Sequence, residues 1–196
     1  NKKLKEKKKK EIIEKWDAYL NEKAIELENE SKLQKVILLE NLISVNECLE
    51  NIKSRNINFW SKRVDQSDFL VARIGIGNEL LKVEVGYPEE GFTIEENELR
   101  KRAEAIVDKY KYIESVPIGY SFFENIITAI MGTKAKTVNF INNILLQLIS
   151  FYSYEDLKIV VFTDSENEEN WDYLKYLNHT FNNDKSFRFF ATDQDS

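Results

Sequence analysis

Cysteine, histidine and glycine are all scarce in this sequence, and each scarcity closes off a class of chemistry. The 196 residues include one cysteine, Cys48, one histidine, His179, and six glycines. A single thiol excludes an internal disulfide, and Cys48 has no His or Cys neighbour at ligand spacing, so it reads as a small buried hydrophobe. One histidine leaves metal sites and Ser-His-Asp triads without partners at any recognisable spacing. No catalytic residue and no metal ligand is therefore assigned, and His179 is expected to be a hydrogen-bonded structural residue. Apolar runs long enough to span a bilayer are missing too, and the first residues are too charged for a signal peptide. The acidic run Asp164, Glu166, Glu168 and Glu169 lacks the spacing and central glycine of a calcium loop, so it reads as a solvated helix start favoured by the macrodipole.

What is present describes an α/β chain with a helical extension. At 42% hydrophobic and 12% aromatic, the sequence can bury one sizeable core, which predicts one globular domain plus an appendage. It opens on an internal-looking Asn1 and stops on the polar ATDQDS, and so reads as a segment of something longer. The net charge of −6 hides a sharp asymmetry, because the first ten residues, NKKLKEKKKK, contain seven lysines. Such a cluster fits the cytoplasmic flank of a transmembrane helix, where it meets anionic headgroups, and it fits a solvated helix start equally well. A nucleic-acid arm is the weaker reading, because no arginines or aromatics interleave the lysines and the rest of the chain is acidic.

From Lys5 to about Leu39, apolar residues at Ile12, Ile13, Trp16, Tyr19, Leu20, Ala24 and Leu27 recur at three and four, which predicts one long amphipathic helix. Ser44-Val45-Asn46-Glu47 is a capping box that opens a shorter helix to about Lys53. Residues 1–55 are read as a helical stalk, and residues 56–196 as the globular part. There Phe69–Ile76 and Leu80–Val85 are expected to form a hairpin around Gly75, Gly77 and Asn78. A second capping box at Thr93-Ile94-Glu95-Glu96 opens a helix through Ala103, Ile106, Val107 and Tyr110. Val116–Tyr120 and Ile126–Met131 read as short strands. Leu157–Phe162 reads as a strand buried on both faces of a parallel sheet, Ser165 as a cap with Glu168, and Phe187–Ala191 as a closing strand. Trp171, Tyr173, Leu174 and Leu177 read as a core-facing helical stripe. The expected fold is a RecA-like, P-loop NTPase-like, mainly parallel sheet with a front β-hairpin and an N-terminal helical stalk.

The chemistry is sought at the turn between Ile126 and Gln147, where Lys136-Thr137 stands in place of the Lys-[Ser/Thr] pair of G-x-x-x-x-G-K-[ST]. In that motif, glycines let consecutive backbone N–H groups curl around phosphate while the lysine reaches the terminal oxygens. Here Ile130 and Ala135 occupy the two glycine positions, and only Gly132 supplies backbone freedom. The candidate nucleotide-contacting residues are Gly132, Lys134, Lys136 and Thr137, a degenerate P-loop. On the plainer reading, Lys134 and Lys136 simply face solvent.

Several segments in order carry a family resemblance: Phe59-Trp60-Ser61-Lys62-Arg63, Asp68-Phe69-Leu70, Arg73-Ile74-Gly75-Ile76-Gly77, Tyr154-Glu155-Asp156-Leu157-Lys158-Ile159 and Trp171-Asp172-Tyr173-Leu174-Lys175-Tyr176-Leu177-Asn178-His179. Together they resemble the cytoplasmic segment after the transmembrane helices of the EssC/YukB/EccC proteins, the FtsK/SpoIIIE-type ATPases of type VII secretion. The resemblance runs through essentially the whole chain. It implies a juxtamembrane stalk and a degenerate first ATPase domain at the cytoplasmic face of the cell membrane, anchored through transmembrane helices upstream. It implies partners among the other membrane components of the system, ubiquitin-like domains included, and among downstream ATPase domains of the same chain, with WXG-type substrates handled indirectly. The implied role is regulatory coupling in a motor ATPase; whether the segment binds or hydrolyses ATP is not settled by the resemblance. It is the departure from the P-loop pattern at Ile130 and Ala135 that predicts no hydrolysis here and at most a weak ATP or magnesium contact, as the acidic chain without a basic stripe predicts no nucleic acid. In an active enzyme Thr137 would be the metal-side hydroxyl and Asp164 the carboxylate at a strand edge. The competing readings are an active NTPase domain of an FtsK-type DNA translocase and a pure scaffold.

Overall fold

The computed structural model describes residues 2–83 and 94–192, with side chains for 3–83 and 98–192. The capping box expected at Thr93 to Glu96 and the end of the strand expected at Leu80 to Val85 lie outside the described residues. The chain is mixed helix and sheet and divides into two compact units, each discontinuous in sequence.

The first unit joins the residues through Asn41 to Gly75–Ile118. Its spine is α1, Lys2–Asn41, a 40-residue helix about 60 Å long at 1.5 Å per residue. The three-four repeat is real but narrower than expected. Ile13, Trp16, Leu20, Ala24 and Leu27 turn inward, whereas Ile12 and Tyr19 stay exposed. A helix this long does not hide its stripe against itself. It is covered by α3, Ile94–Lys109, pinned where the Trp16 indole N–H donates to the Leu99 carbonyl at 3.3 Å and Arg102 pairs with Asp17 at 2.8 Å. Further along α1, the Gln34 amide donates to Leu80 O at 2.9 Å and accepts from Lys82 N–H at 2.8 Å, as a strand neighbour would. Ile113, Val116 and Pro117 are the buried strand residues of this unit.

The expected hairpin around Gly75 to Asn78 is not formed. The first strand, β1, runs unbroken through those residues, Val71–Leu80, and pairs with β2, Tyr112–Ser121. Leu81 N–H bonds Lys111 O at one end and Phe122 N–H bonds Leu70 O at the other, so the two strands are antiparallel. Neither glycine has a positive φ. Gly77 serves a close approach instead of a turn, since a Cβ there would lie 3.0 Å from Ile118 Cγ1.

The second unit comprises Leu42–Ile74 and Gly119–Ser196. The Ser44–Glu47 capping box forms as expected and opens α2, Val45–Ser54. That helix, expected to belong to the stalk, packs in this unit on α4, Lys134–Phe151. The core contains Cys48, Ala72, Ile144, Leu148, Phe151 and Tyr152. Cys48 is fully buried, as its isolation in the sequence suggests, and burial pushes its thiol up to about 11. Gln147, 1% exposed, accepts from Arg73 N–H at 2.8 Å and donates to Arg73 O at 2.9 Å. The Tyr152 hydroxyl accepts from Leu70 N–H at 2.9 Å and donates to Asp68 O at 3.3 Å.

Sheet is shorter here than the sequence suggests. The expected strand Ile126–Met131 is irregular, because Ser121 caps a tight turn through Glu124 and Asn125 and, among the described residues, no strand pairs with the segment after that turn. Ile126, Ile127 and Met131 are consequently at least 90% exposed. Of Leu157–Phe162, only β3, Val161–Phe162, is strand. It pairs in parallel with β4, Phe190–Ala191, as expected in direction but not in burial, since Phe162 is 82% exposed. Ser165 is not a cap. Asp164 takes that position, accepting Asn167 N–H at 2.8 Å. The helix expected after it is a series of three short 3-10 turns, Glu168–Asn170, Asp172–Tyr176 and Asn178–Thr180, in which Leu174 is buried while Tyr173 stays exposed. Among the described residues the sheets are two-stranded, so an extended RecA-like sheet is not assembled there.

Candidate functional site

Helix α4 carries the candidate nucleotide turn at one end and a dense set of partners at the other. At its start, Thr133 has the extended backbone of an N-cap, φ −69° and ψ 146°, but its side chain makes no capping bond. Thr137 N–H closes the first helical turn onto Thr133 O at 3.0 Å. That leaves the N–H groups of Lys134, Ala135 and Lys136 in the first turn without a helical acceptor, the usual condition of a helix start. Gly132 lies directly before this turn, and the Thr137 hydroxyl folds back to within 3.2 Å of where a Gly132 Cβ would be. Lys134 and Lys136 are exposed and have no ionic partner among the described residues. The structure thus gathers Gly132, Lys134, Lys136 and Thr137 at one helix N-terminus, where amide dipoles and two cations favour an anion. Asp164 is engaged locally, with both carboxylate oxygens accepting from the Asn167 side-chain amide at 2.7 and 2.8 Å.

The other end of α4 is closed. A helix leaves its last carbonyls without intrahelical donors, and here each finds one from a distant part of the chain. Ile149 O accepts from the Trp60 indole N–H at 3.1 Å, Ser150 O from Trp60 N–H at 2.8 Å, and Phe151 O from Lys62 N–H at 3.1 Å. Just past the helix, Tyr152 O meets His179 Nε2 at 3.0 Å. A carbonyl only accepts, so Nε2 of His179 bears the proton. Burial holds the His179 pKa below its ordinary value, which keeps the ring neutral near pH 7. Trp60 reaches both carbonyls from a left-handed backbone, φ 58°, an uncommon state for a bulky residue. Phe59 stacks on the indole at 4.5 Å, and Tyr154 meets it edge-on at 5.7 Å.

Beside this lock is a cavity of about 520 Å³. Its walls include Ile52, Phe59, Trp60, Tyr176 and His179, with Arg55 as the charged member. Arg55 is the left-handed cap of α2, φ 48°. The cavity was not anticipated from sequence, although two of the resemblance-bearing segments, Phe59–Arg63 and Trp171–His179, supply most of its wall.

No family model matches the chain. Curated proteins do match. The type VII secretion system protein EssC of Staphylococcus aureus strain NCTC 8325 is 26% identical over 179 residues, covering 91% of this chain and 12% of that protein. The EssC protein of strain MW2 is 26% identical over 176 residues, 90% of this chain and 12% of its own length. The ESX secretion system protein EccC of Geobacillus thermodenitrificans is 24% identical over 162 residues, 82% of this chain and 11% of its own. The chain is homologous to a segment of EssC and EccC. It spans about 12% of the length of the EssC relatives it matches. The expected resemblance is therefore met over most of the chain, and in the structure two of the segments that carry the expectation, Phe59–Arg63 and Trp171–His179, supply the donors that close the end of α4 opposite the lysine turn.

Proposed function

We propose that this chain is a regulatory and coupling segment of the motor protein of a type VII secretion system, transmitting movement between a membrane channel and further ATPase domains without hydrolysing ATP itself. The observation that supports this reading is the contrast within α4. A mechanical element needs a rigidly seated helix, which the four donors onto Ile149, Ser150, Phe151 and Tyr152 provide. A hydrolytic site needs a backbone cradle and a free acid, whereas Gly132 has no positive φ and Asp164 bonds Asn167. On this reading α4 with the parallel pair β3 and β4 is the reduced core of a RecA-like nucleotide domain of the FtsK/SpoIIIE type, and Gly132, Lys134, Lys136 and Thr137 are the remnant of its phosphate loop. The segment acts at the cytoplasmic face of the membrane. Its partners are other membrane components of the system and later ATPase domains of the same protein, and secreted helical substrates reach it only indirectly.

Calorimetric titration of Mg-ATP into the chain tests this. The expected result is no saturable heat and no rise in melting temperature, for the wild type and for Lys136→Ala alike, because a ligand that binds only the native state must stabilise it. A melting rise of several degrees that disappears in Lys136→Ala, together with phosphate release, would overturn the proposal in favour of an active nucleotide site.

A further inference from the structure

The lysines that open α1 share a cleft with α3. Lys5, Lys8 and Lys9 from α1 and Arg102 from α3 line a cavity of about 270 Å³, just below the usual size of small-molecule sites. Glu98 is the acidic residue that lines it, and Ile12, Ile13 and Leu99 supply aliphatic surface. The cleft is held in shape by two contacts one turn further along α1, the Trp16 indole on Leu99 O at 3.3 Å and the Asp17–Arg102 pair at 2.8 Å. Lys5 and Lys8 have no ionic partner among the described residues. Ile12 is 60% exposed beside them. No helix among the described residues is long and apolar enough to cross a membrane.

Among the described lining residues, Lys5 and Lys8 are cations without an ionic partner, Lys9 is a third lysine, and Arg102 is already paired with Asp17, against the single lining carboxylate Glu98. This surplus selects an anion, and the aliphatic lining selects an anion attached to something apolar. A free phosphate would leave Ile12, Ile13 and Leu99 unused. Nucleic acid would be expected to meet arginines and stacking aromatics, and neither interleaves the lysines of residues 2–10. We propose that the α1/α3 cleft binds the headgroup of an anionic phospholipid at a bilayer surface, with Lys5 and Lys8 on the phosphate, Lys9 and Arg102 flanking it, and Ile12 against the glycerol and upper acyl region. Lysine stems can lie along such apolar surface while their ammonium groups reach the phosphates. Each basic residue near an anionic surface strengthens the attachment several-fold, and salt weakens it.

The test is co-sedimentation of the 196-residue chain with vesicles of phosphatidylcholine alone or containing about 30% phosphatidylglycerol. Binding is expected only to the anionic vesicles. The triple variant Lys5→Gln, Lys8→Gln, Lys9→Gln should lower the partition coefficient about 100-fold, and the equal charge change Lys3→Gln, Lys7→Gln, Lys10→Gln about tenfold at most. Ile12→Gln changes no charge and should still lower it about fivefold, because it removes the apolar contact. Equal losses in the two triple variants with no effect of Ile12→Gln would overturn the cleft in favour of diffuse charge. Displacement from vesicles by millimolar inorganic phosphate, or tighter binding to duplex DNA than to vesicles, would overturn the lipid assignment. Helical circular dichroism confirms that each variant remains folded. The assay contains no nucleotide, so its outcome is separate from that of the coupling proposal.

Discussion

The two ends of α4 differ as sharply as any two regions of the molecule. Its last turn is closed by donors from two separate stretches, Trp60 to Lys62 and His179, while its first turn begins on an uncapped Thr133 next to two exposed lysines. The difference shows where the architecture of this segment is rigidly specified. Residues seat the C-terminal end by pairing across roughly 30 to 90 positions of sequence, the kind of non-local contact that fixes a rigid body. The N-terminal end is left to local backbone and solvent, which suits a remnant more than a working phosphate cradle.

The comparison can be broken hardest at Gln147. Its amide satisfies both backbone groups of Arg73 from the buried half of α4. Gln147→Ala should therefore cost about 2–3 kcal/mol in denaturant unfolding, because two interior groups lose their partners. Unchanged stability would mean that water replaces the amide and that this end of the helix is open to solvent. Trp60→Phe keeps an aromatic ring, smaller than the indole, but removes the N–H on Ile149 O, and the lost bond alone should cost about 1 kcal/mol. The same substitution tests whether the bond from the residue 60 N–H to Ser150 O survives without the indole bond, through the amide exchange of residue 60 itself.

Acid should weaken the closed end selectively. The pKa of His179 is lowered mainly by burial, so between its folded value and the ordinary value near 6.5 the unfolded chain binds more protons. Stability is then full above pH 6.5 and falls as the pH drops through that window toward the folded value. His179→Gln should flatten this slope in unfolding curves measured at a series of pH values. A slope unchanged in the variant would assign the effect to carboxylates instead.

The smallest expected effect is at the open end. Thr133→Asp places an acceptor at a residue that already has N-cap geometry and adds favourable charge beside the macrodipole, so a gain of about 0.5–1 kcal/mol is expected. The same change at Ser44, already capped by its hydroxyl on Glu47 N–H, should give close to nothing. A null result at Thr133 would mean that another group already satisfies that turn.

Local signals were legible. The Ser44–Glu47 box, the long helix and the helix after Gly132 each depend on residues within a turn or two of one another, and each formed. The glycines of RIGIGN misled, because a turn and a close approach ask for the same residue, and the side chain that requires the approach, Ile118, lies 41 positions beyond Gly77. Ile126–Met131 has strand composition but no partner strand among the described residues, and composition alone does not provide one. Phe59-Trp60 and His179 stood out as marks of a family, yet their task of closing α4 could not be read from sequence, since it exists only once residues 60, 149, 152 and 179 are brought together.

The sole thiol makes that assembled state directly observable. Cys48 is sealed between α2 and α4, and with its pKa near 11 only about one molecule in ten thousand carries a thiolate at pH 7. A maleimide or disulfide dye should therefore label the native chain only as fast as these helices part. The labelling rate becomes a clock for breathing of this interface, read from a single wild-type residue without any engineered probe.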